Sequence, residues 1–333
     1  MSVTIKDIAK LANVSHTTVS RALNNSPLIN EETKSKIKAI AKQLRYVPNY
    51  NAKNLVLHKS NNIGLFFSSI SQGTSPSFFF EIVSGINSVI SKNYNLVVRG
   101  IDDYRDFSTI NDKSFDGIIL MSQSDSDNGF IYHVMDNKIP LVVLDRNVAE
   151  ESIVNILSDD AEGAFKAVKY LIENGHSDIA IIEGEKEFKS SKERKNGFIK
   201  ALIDYKIPVN GDYIISGDYH MKSGYYGMKK LLKLSKVPTA VFCSNDDMAI
   251  GAIKAINDSK FRSPEDISII GFDDIDFCEY STPSLTTIKR PMKKISMLGC
   301  EKLLKLLGKK DLQGEKIYIK TELCIRESVR KIN

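Results

Sequence analysis

Cysteine is scarce in this chain, with four among 333 residues: Cys243, Cys278, Cys300 and Cys324. They lie far apart and form neither a CxxC pair nor a Cys/His ligand spacing, so they read as reduced, buried thiols without a metal. Long apolar runs are missing too. Nothing approaches the roughly 18 consecutive apolar residues of a membrane helix, and the opening Met1 to Lys6 offers no apolar signal-peptide core. A nucleophile elbow, a phosphate-cradling glycine loop and a metal-ligand spacing are all absent from the sequence. The expectation is a cytoplasmic protein with no membrane partner, no enzymatic activity and no cofactor.

What the chain does have is size, apolar content and a lopsided charge. At 333 residues, 42% of them hydrophobic, it can build more than one large core. Residues 1–60 hold ten Lys/Arg against Asp7, Glu31 and Glu32, a net of +7. The remaining 273 residues hold 36 basic and 38 acidic side chains, a net of −2. The positive excess therefore sits wholly at the amino-terminal end, as in a module that meets phosphates.

That basic block is also periodic. Ile5, Ile8, Ala9 and Ala12 form one apolar helical stripe, with Thr4 and Asp7 in capping-box spacing at its start. Ser15 is a good N-cap for a second segment carrying Val19, Ala22 and Leu23. Between them Asn13-Val14 is left as the turn, and Asn tolerates the left-handed conformation that such a corner needs. A third segment, Asn30 to Leu44, repeats the stripe with Ile37, Ile40, Ala41 and Leu44. Helix, tight turn, helix and a supporting helix is the helix-turn-helix layout.

From Asn62 onward short apolar runs alternate with stretches long enough for helices. Strands are expected at 63–67, 96–99, 117–121, 140–145, 153–157, 179–183, 213–216, 240–244 and 267–272. Helices are expected at 78–92, 161–174, 192–205, 222–234, 248–259 and 292–307. Such alternation predicts parallel sheets covered by helices on both faces, and the number of elements favours two α/β subdomains over one. Ligands in such sheets bind beyond the carboxyl ends of the strands. Polar pairs stand at those ends: Asp145-Arg146, Asp159-Asp160, Asn245-Asp246 and Asp273-Asp274. A cleft lined by them would suit a polyhydroxylated ligand.

The segment Val3 to Asn24 closely resembles the amino-terminal signature of the lactose-repressor type of bacterial transcription regulators. Tyr46-Val-Pro-Asn49, Asp116 to Leu120, Gly175-His176, Ala240 to Ala249, Gly271 to Asp274 and Leu285 to Ile288 extend the likeness over essentially the whole chain. The resemblance implies an all-α helix-turn-helix domain (1–48), a hinge helix and linker (49–60), and a periplasmic-binding-protein-like α/β core (61–333). The core is expected as two doubly wound parallel-sheet subdomains crossed by three strands, roughly 61–158 with 291–322 and 159–290 with 323–333. It also implies a homodimer on double-stranded, palindromic operator DNA. The chain ends soon after Arg326-Glu-Ser328, without a long heptad tail, so dimers rather than tetramers are expected.

By the same resemblance, His16 and Thr17 open the recognition helix and face base edges, with Arg21 one turn on. Thr4, Ser15, Thr18, Ser20, Asn24 and Asn49 join the DNA-binding set, several as phosphate or capping residues. In the tether Asn49 to Leu57, Leu55 falls on a minor-groove wedge position, with Ala52 one turn before it. The effector set is Arg194, Asn245, Asp273, Tyr219, Asp159 or Asp160, and Phe78. One departure concerns the amino-terminal wall of that pocket, where Pro76-Ser77 replaces the family's Asn-Pro and the loop is longer. The function implied is a repressor of carbohydrate-utilisation genes, released from its operator by a small-molecule sugar effector. The alternative is a regulator that uses a purine or protein corepressor to tighten DNA binding.

Overall fold

The computed structural model describes residues 3–46, 60–90, 94–308 and 314–332, and the chain divides into two compact units, residues 1–58 and 59–333. In the first unit, α1 (Ile5–Ala12), α2 (His16–Leu23) and α3 (Glu31–Gln43) close over Ile8, Ala12, Val19, Ala22, Ile37 and Ala41. Their ends are set locally. Asp7 Oδ2 accepts from the Thr4 N–H at 2.8 Å and its hydroxyl at 2.7 Å. Asn13 takes φ +55° and ends α1 in the left-handed cap that an L-residue other than Asn or Asp adopts reluctantly. Ser15 Oγ accepts from Thr18 N–H at 3.0 Å, and Asn30 Oδ1 from Thr33 N–H at 2.8 Å, so each later helix begins on a side-chain cap.

The second unit is built on two six-stranded sheets. The first runs in the order β11-β5-β4-β3-β1-β2, from β1 (Asn62–Phe67), β2 (Asn95–Gly100), β3 (Gly117–Met121), β4 (Leu141–Leu144), β5 (Val154–Ser158) and β11 (Lys316–Ile319). All its pairings are parallel. The second runs β12-β10-β9-β8-β6-β7, from β6 (Ile179–Ile182), β7 (Ile214–Ile215), β8 (Ala240–Cys243), β9 (Ser268–Asp273), β10 (Thr286–Lys289) and β12 (Glu322–Cys324). Only β12 is antiparallel to its neighbour.

Each sheet is apolar on both faces, which is what covering helices require. Ile63, Leu65 and Phe67 point to α4 (Pro76–Val89) and α11 (Met292–Gly308), whereas Phe66 points to α5 (Asn128–Asp136). In the second sheet Ile182 and Cys243 face α8 (Met221–Leu231) and α9 (Asp246–Asn257). Ile181 and Phe242 face α6 (Asp160–Glu173) and α7 (Lys189–Asp204). A short α10 (Phe277–Tyr280) follows β9.

Three elements absent from the sequence-based expectation are strands: β10, β11 and β12. Thr286 and Thr287 interrupt the apolar run of β10, and the other two are edge strands whose side chains are largely half-buried or exposed. Two helices, α5 and α10, were likewise not expected. Their absence from the pattern has a local cause: α5 follows a Ser/Asp-rich turn, and α10 is a single turn.

The chain passes between the sheets three times, at β5 to α6, at β10 to α11 and at β11 to β12. Asp160 stands at the first passage and Arg290 at the second. The helices that carry Asp160 and Arg194 meet at Gly197, where a Cβ would lie 2.1 Å from Ala161 O. Gly197→Ala is therefore expected to lower the unfolding free energy by about 1–3 kcal/mol through overpacking. Chemical denaturation checks this, and an unchanged midpoint would deny the close approach of these two helices.

Candidate functional site

The residues at the passages and strand ends converge. Arg194, on α7, is 1% exposed and Arg290 is 3% exposed. Arg194 Nε donates to Asp160 Oδ2 at 2.9 Å, its Nη2 to Asp273 Oδ1 at 3.3 Å, and its Nη1 to the Ser244 carbonyl. Its guanidinium lies 3.8 Å from the centroid of the Phe272 ring, a desolvated cation–π contact. Arg290 Nη2 donates to Asp145 Oδ1 at 2.5 Å, with Asp160 and Asp273 oxygens each 3.5 Å away. Asp145 closes β4 in the first sheet and Asp273 closes β9 in the second, so the two arginines tie both sheets to the passages.

Around this network lies a small, partly open cavity. Phe78, Gly73, Ser75, Gln123 and Asp145 come from the side of the first sheet. From the second come Ser190, Arg194, Tyr219, Asn245 and Asp273, and Arg290 completes the wall. Donors, acceptors and two aromatic rings thus face one small space, the usual make-up of a small-molecule pocket. Tyr219 hydrogen-bonds Ser190 Oγ at 2.9 Å and stacks on Phe188 at 6.2 Å. The backbone here is strained: Asp145, Tyr219 and Asp273 all have positive φ, at 70°, 69° and 112°, and such outliers cluster at functional sites.

The loop with the unusual Pro76-Ser77 is shaped by its neighbours. Gly73 has φ +71°, and a Cβ there would lie 2.6 Å from the Phe188 ring. Ser75 caps α4, with Pro76 in its first turn. The Lys189 N–H donates to Gln123 O at 2.8 Å, which closes the two sheet assemblies against each other beside the cavity.

Burial and pairing pull the ionisable groups in opposite directions. Burial pushes Asp145 and Asp273 above the usual carboxylate range, against the pull of the arginines. At Asp160 burial also raises, but the charges of Arg194 and Arg290, with hydrogen bonds from Ser158 and Arg194, outweigh it and hold the carboxyl low. Burial pushes Tyr219 up to about 12, with Arg194 opposing. Beside the network, burial followed by the charges of Asp160 and Asp145 takes Glu193 to about 7.

Of the expected effector residues, Phe78, Arg194, Tyr219, Asn245 and Asp273 line the cavity. Asp159 and Asp160 part company. Neither is in the cavity lining: Asp160 is buried on both arginines, whereas Asp159 is exposed and caps α6 through Glu162 N–H at 3.2 Å. Asn245 has a double duty, since its Oδ1 caps α9 at Met248 N–H and its Nδ2 holds the Tyr219 carbonyl at 2.8 Å. Gly73 and Ser75 belong to the loop expected at the pocket's amino-terminal wall, whereas Gln123, Ser190 and Arg290 were missed. Asp145 was marked only as a strand end. Arg290 follows a strand that the apolar pattern did not reveal, Gly73, Ser75 and Gln123 sit in loops without periodicity, and Ser190 lies in the first turn of α7, ahead of the expected helix start at 192.

On the first unit, His16, Thr17 and Arg21 are exposed along α2 while Val19 and Ala22 are buried. Ser15 and Thr18 share a hydroxyl hydrogen bond at 2.9 Å, Ser20 O accepts from Asn24 Nδ2 at 2.9 Å, and Thr4 is bound to Asp7. These residues shape the helix ends. Asn49, Ala52 and Leu55, with the hinge at 49–60 up to residue 59, lie outside the described residues.

Comparison with known proteins agrees with both units. Residues 4–49 match the pattern of bacterial regulatory proteins of the lacI family, and residues 168–329 match a periplasmic binding protein-like domain. A probable HTH-type transcriptional repressor, ExuR of Bacillus subtilis (strain 168), is 58% identical over 330 residues, covering 99% of each chain. The HTH-type transcriptional repressor PurR of Vibrio parahaemolyticus serotype O3:K6 is 33% identical over 338 residues, again with 99% of each chain covered. Among solved structures, a complex of the transcriptional regulator CelR with cellobiose superposes with a TM-score of 0.73 at 26% identity, covering 98% of this chain and 99% of that one.

The charge network makes a pH-dependent prediction. Because the carboxyl of Asp160 is held low by its arginines, the stability it contributes is present above the ordinary carboxylate pKa and fades as pH falls through the lowered value. Arg194→Ala strands this carboxylate, so its cost should be about 3–5 kcal/mol near neutral pH and shrink in acid, where Asp160 takes up a proton. Denaturation of both proteins at pH 7.5 and at pH values below the ordinary carboxylate value of 3.8 measures the difference. A constant difference would contradict the pairing.

Proposed function

The chain belongs to the lacI family of bacterial regulatory proteins and is a transcriptional repressor of that family; from that premise we propose that it holds a palindromic operator as a homodimer and releases it when a sugar fills the cleft. The observation that carries the ligand reading is the cavity itself. Its acceptors (Asp145, Asp273), its donors (Arg290, Asn245) and its mixed hydroxyls (Ser75, Ser190, Tyr219) surround a space flanked by Phe78. A sugar ring needs such partners, since every hydroxyl both donates and accepts. The likeness to a regulator complexed with cellobiose points the same way.

On the DNA side, His16, Thr17 and Arg21 are the base-reading residues, and the exposed lysines of the first unit hold phosphates. In the same reading Ala52 and Leu55 contact the minor groove. The sugar acts because the cleft lies between two sheet assemblies joined by three passages, so a ligand that binds one arrangement better than another shifts their equilibrium. The competing regulator, one that a purine tightens on DNA, draws on the PurR relative.

One experiment separates them. The full chain is screened by thermal shift against monosaccharides, disaccharides and purines, and each stabilising compound is tested in operator binding on DNA upstream of the chain's own gene. A sugar should stabilise the protein and weaken operator binding. A purine that stabilises it and tightens operator binding, with sugars silent, overturns the proposal. In the same assay Arg21→Ala should weaken operator binding by about 1–3 kcal/mol and leave the sugar-induced thermal shift intact.

A further inference from the structure

The two cleft arginines are not used alike. Arg194, the one that sequence points to, is spent on the protein: Asp160, Asp273 and the Ser244 carbonyl take donors from all three of its nitrogens. The side chain of Arg290 makes one hydrogen bond, from Nη2 to Asp145. Its Nε–H is buried without a hydrogen-bond partner, the nearest carboxylate oxygen, on Asp160, being 3.5 Å away. Its guanidinium also lies 5.6 Å from the centroid of the Phe78 ring, at the cavity wall. Buried N–H groups are rarely left unpaired, and an exception calls for a reason.

We propose that Arg290 reads the ligand: its guanidinium, at the wall of a cavity shared with Phe78 and Asp145 and holding a single side-chain hydrogen bond to the protein, binds an acceptor oxygen of the effector and so selects which sugar is bound. The inference rests on the reading of the cleft as a sugar site. Arg194 is then the scaffold that fixes Asp160 and Asp273, and Arg290 supplies the specificity. The planar guanidinium, held at one end by Asp145, presents its remaining N–H groups in a fixed fork. An acceptor can come from a hydroxyl or from a carboxylate, and the two are separable by experiment. A site built around such a donor rejects an analogue lacking the matching oxygen, because the buried N–H is left unpaired again.

The test uses the full chain and titration calorimetry with glucose, galactose, mannose, ribose and cellobiose, and with the uronic acids of the three hexoses. For the tightest binder, its single-deoxy (or decarboxylated) analogues are measured against the natural protein, Arg290→Gln and Arg290→Lys. The Lys variant keeps the charge opposite Asp145 and guards against simple misfolding. Removal of one particular oxygen should weaken binding to the natural protein by about tenfold or more. Both variants should bind the parent sugar correspondingly less well and lose the discrimination against that one analogue. If every analogue loses the same factor in all three proteins, Arg290 is structural only and the inference falls while the sugar site stands. If none of these sugars binds the natural protein, the reading of the cleft falls, and this inference with it.

Discussion

Five closely packed charges, three of them buried and two half-buried, set the centre of this protein. Arg194, Arg290, Asp145, Asp160 and Asp273 come from both sheets and from two of the three passages between them, and each depends on the others for its charge. Isolated burial of any one would be expensive, and at Asp160 and Asp145 alike the arginines pull the carboxyl down against burial. Such a network is a poor source of net stability, because desolvation offsets most of its attraction. What it does is fix geometry. Asp145 and Asp273 are strand ends of different sheets, so the network is complete only when those ends stand at their observed separation.

That constraint connects binding to regulation in the proposed switch. A sugar entering the cavity exchanges hydrogen bonds with the same groups that set the spacing of the two sheets. The spare donors of Arg290 and the carboxylates around it give the ligand a differential affinity for one arrangement, without which no ligand can shift a conformational equilibrium. The small first unit, stabilised by its own caps and a core of short aliphatic side chains, needs nothing from this chemistry to keep α2 presented. Reading DNA and sensing a ligand are thus assigned to separate physical devices in one chain.

Much of this was legible in the sequence, and the failures have physical causes. Period-3.6 stripes and capping residues marked α1 to α3 within a residue or so, because a three-helix core leaves few alternatives. The apolar strands buried on both faces stood out for the same reason, whereas edge strands β11 and β12 bury too little to leave a pattern. Polar residues at strand ends pointed to Asp145, Asn245 and Asp273. The spacing could not say which of Asp159 and Asp160 turns inward, since that depends on where α6 begins. Arg290 stayed hidden because its strand contains two threonines, and its meaning lies in partners 130 or 145 positions away in the chain.

The central claim is that the cleft and the operator-binding surface share one equilibrium, and linkage makes it directly measurable. The sugar that stabilises the full chain is titrated into the free protein and into its operator complex, by calorimetry at one salt concentration. Weaker sugar binding to the complex is expected, by the same factor by which saturating sugar raises the operator Kd. Equal sugar affinity in the two titrations would contradict the coupling, whatever the ligand proves to be.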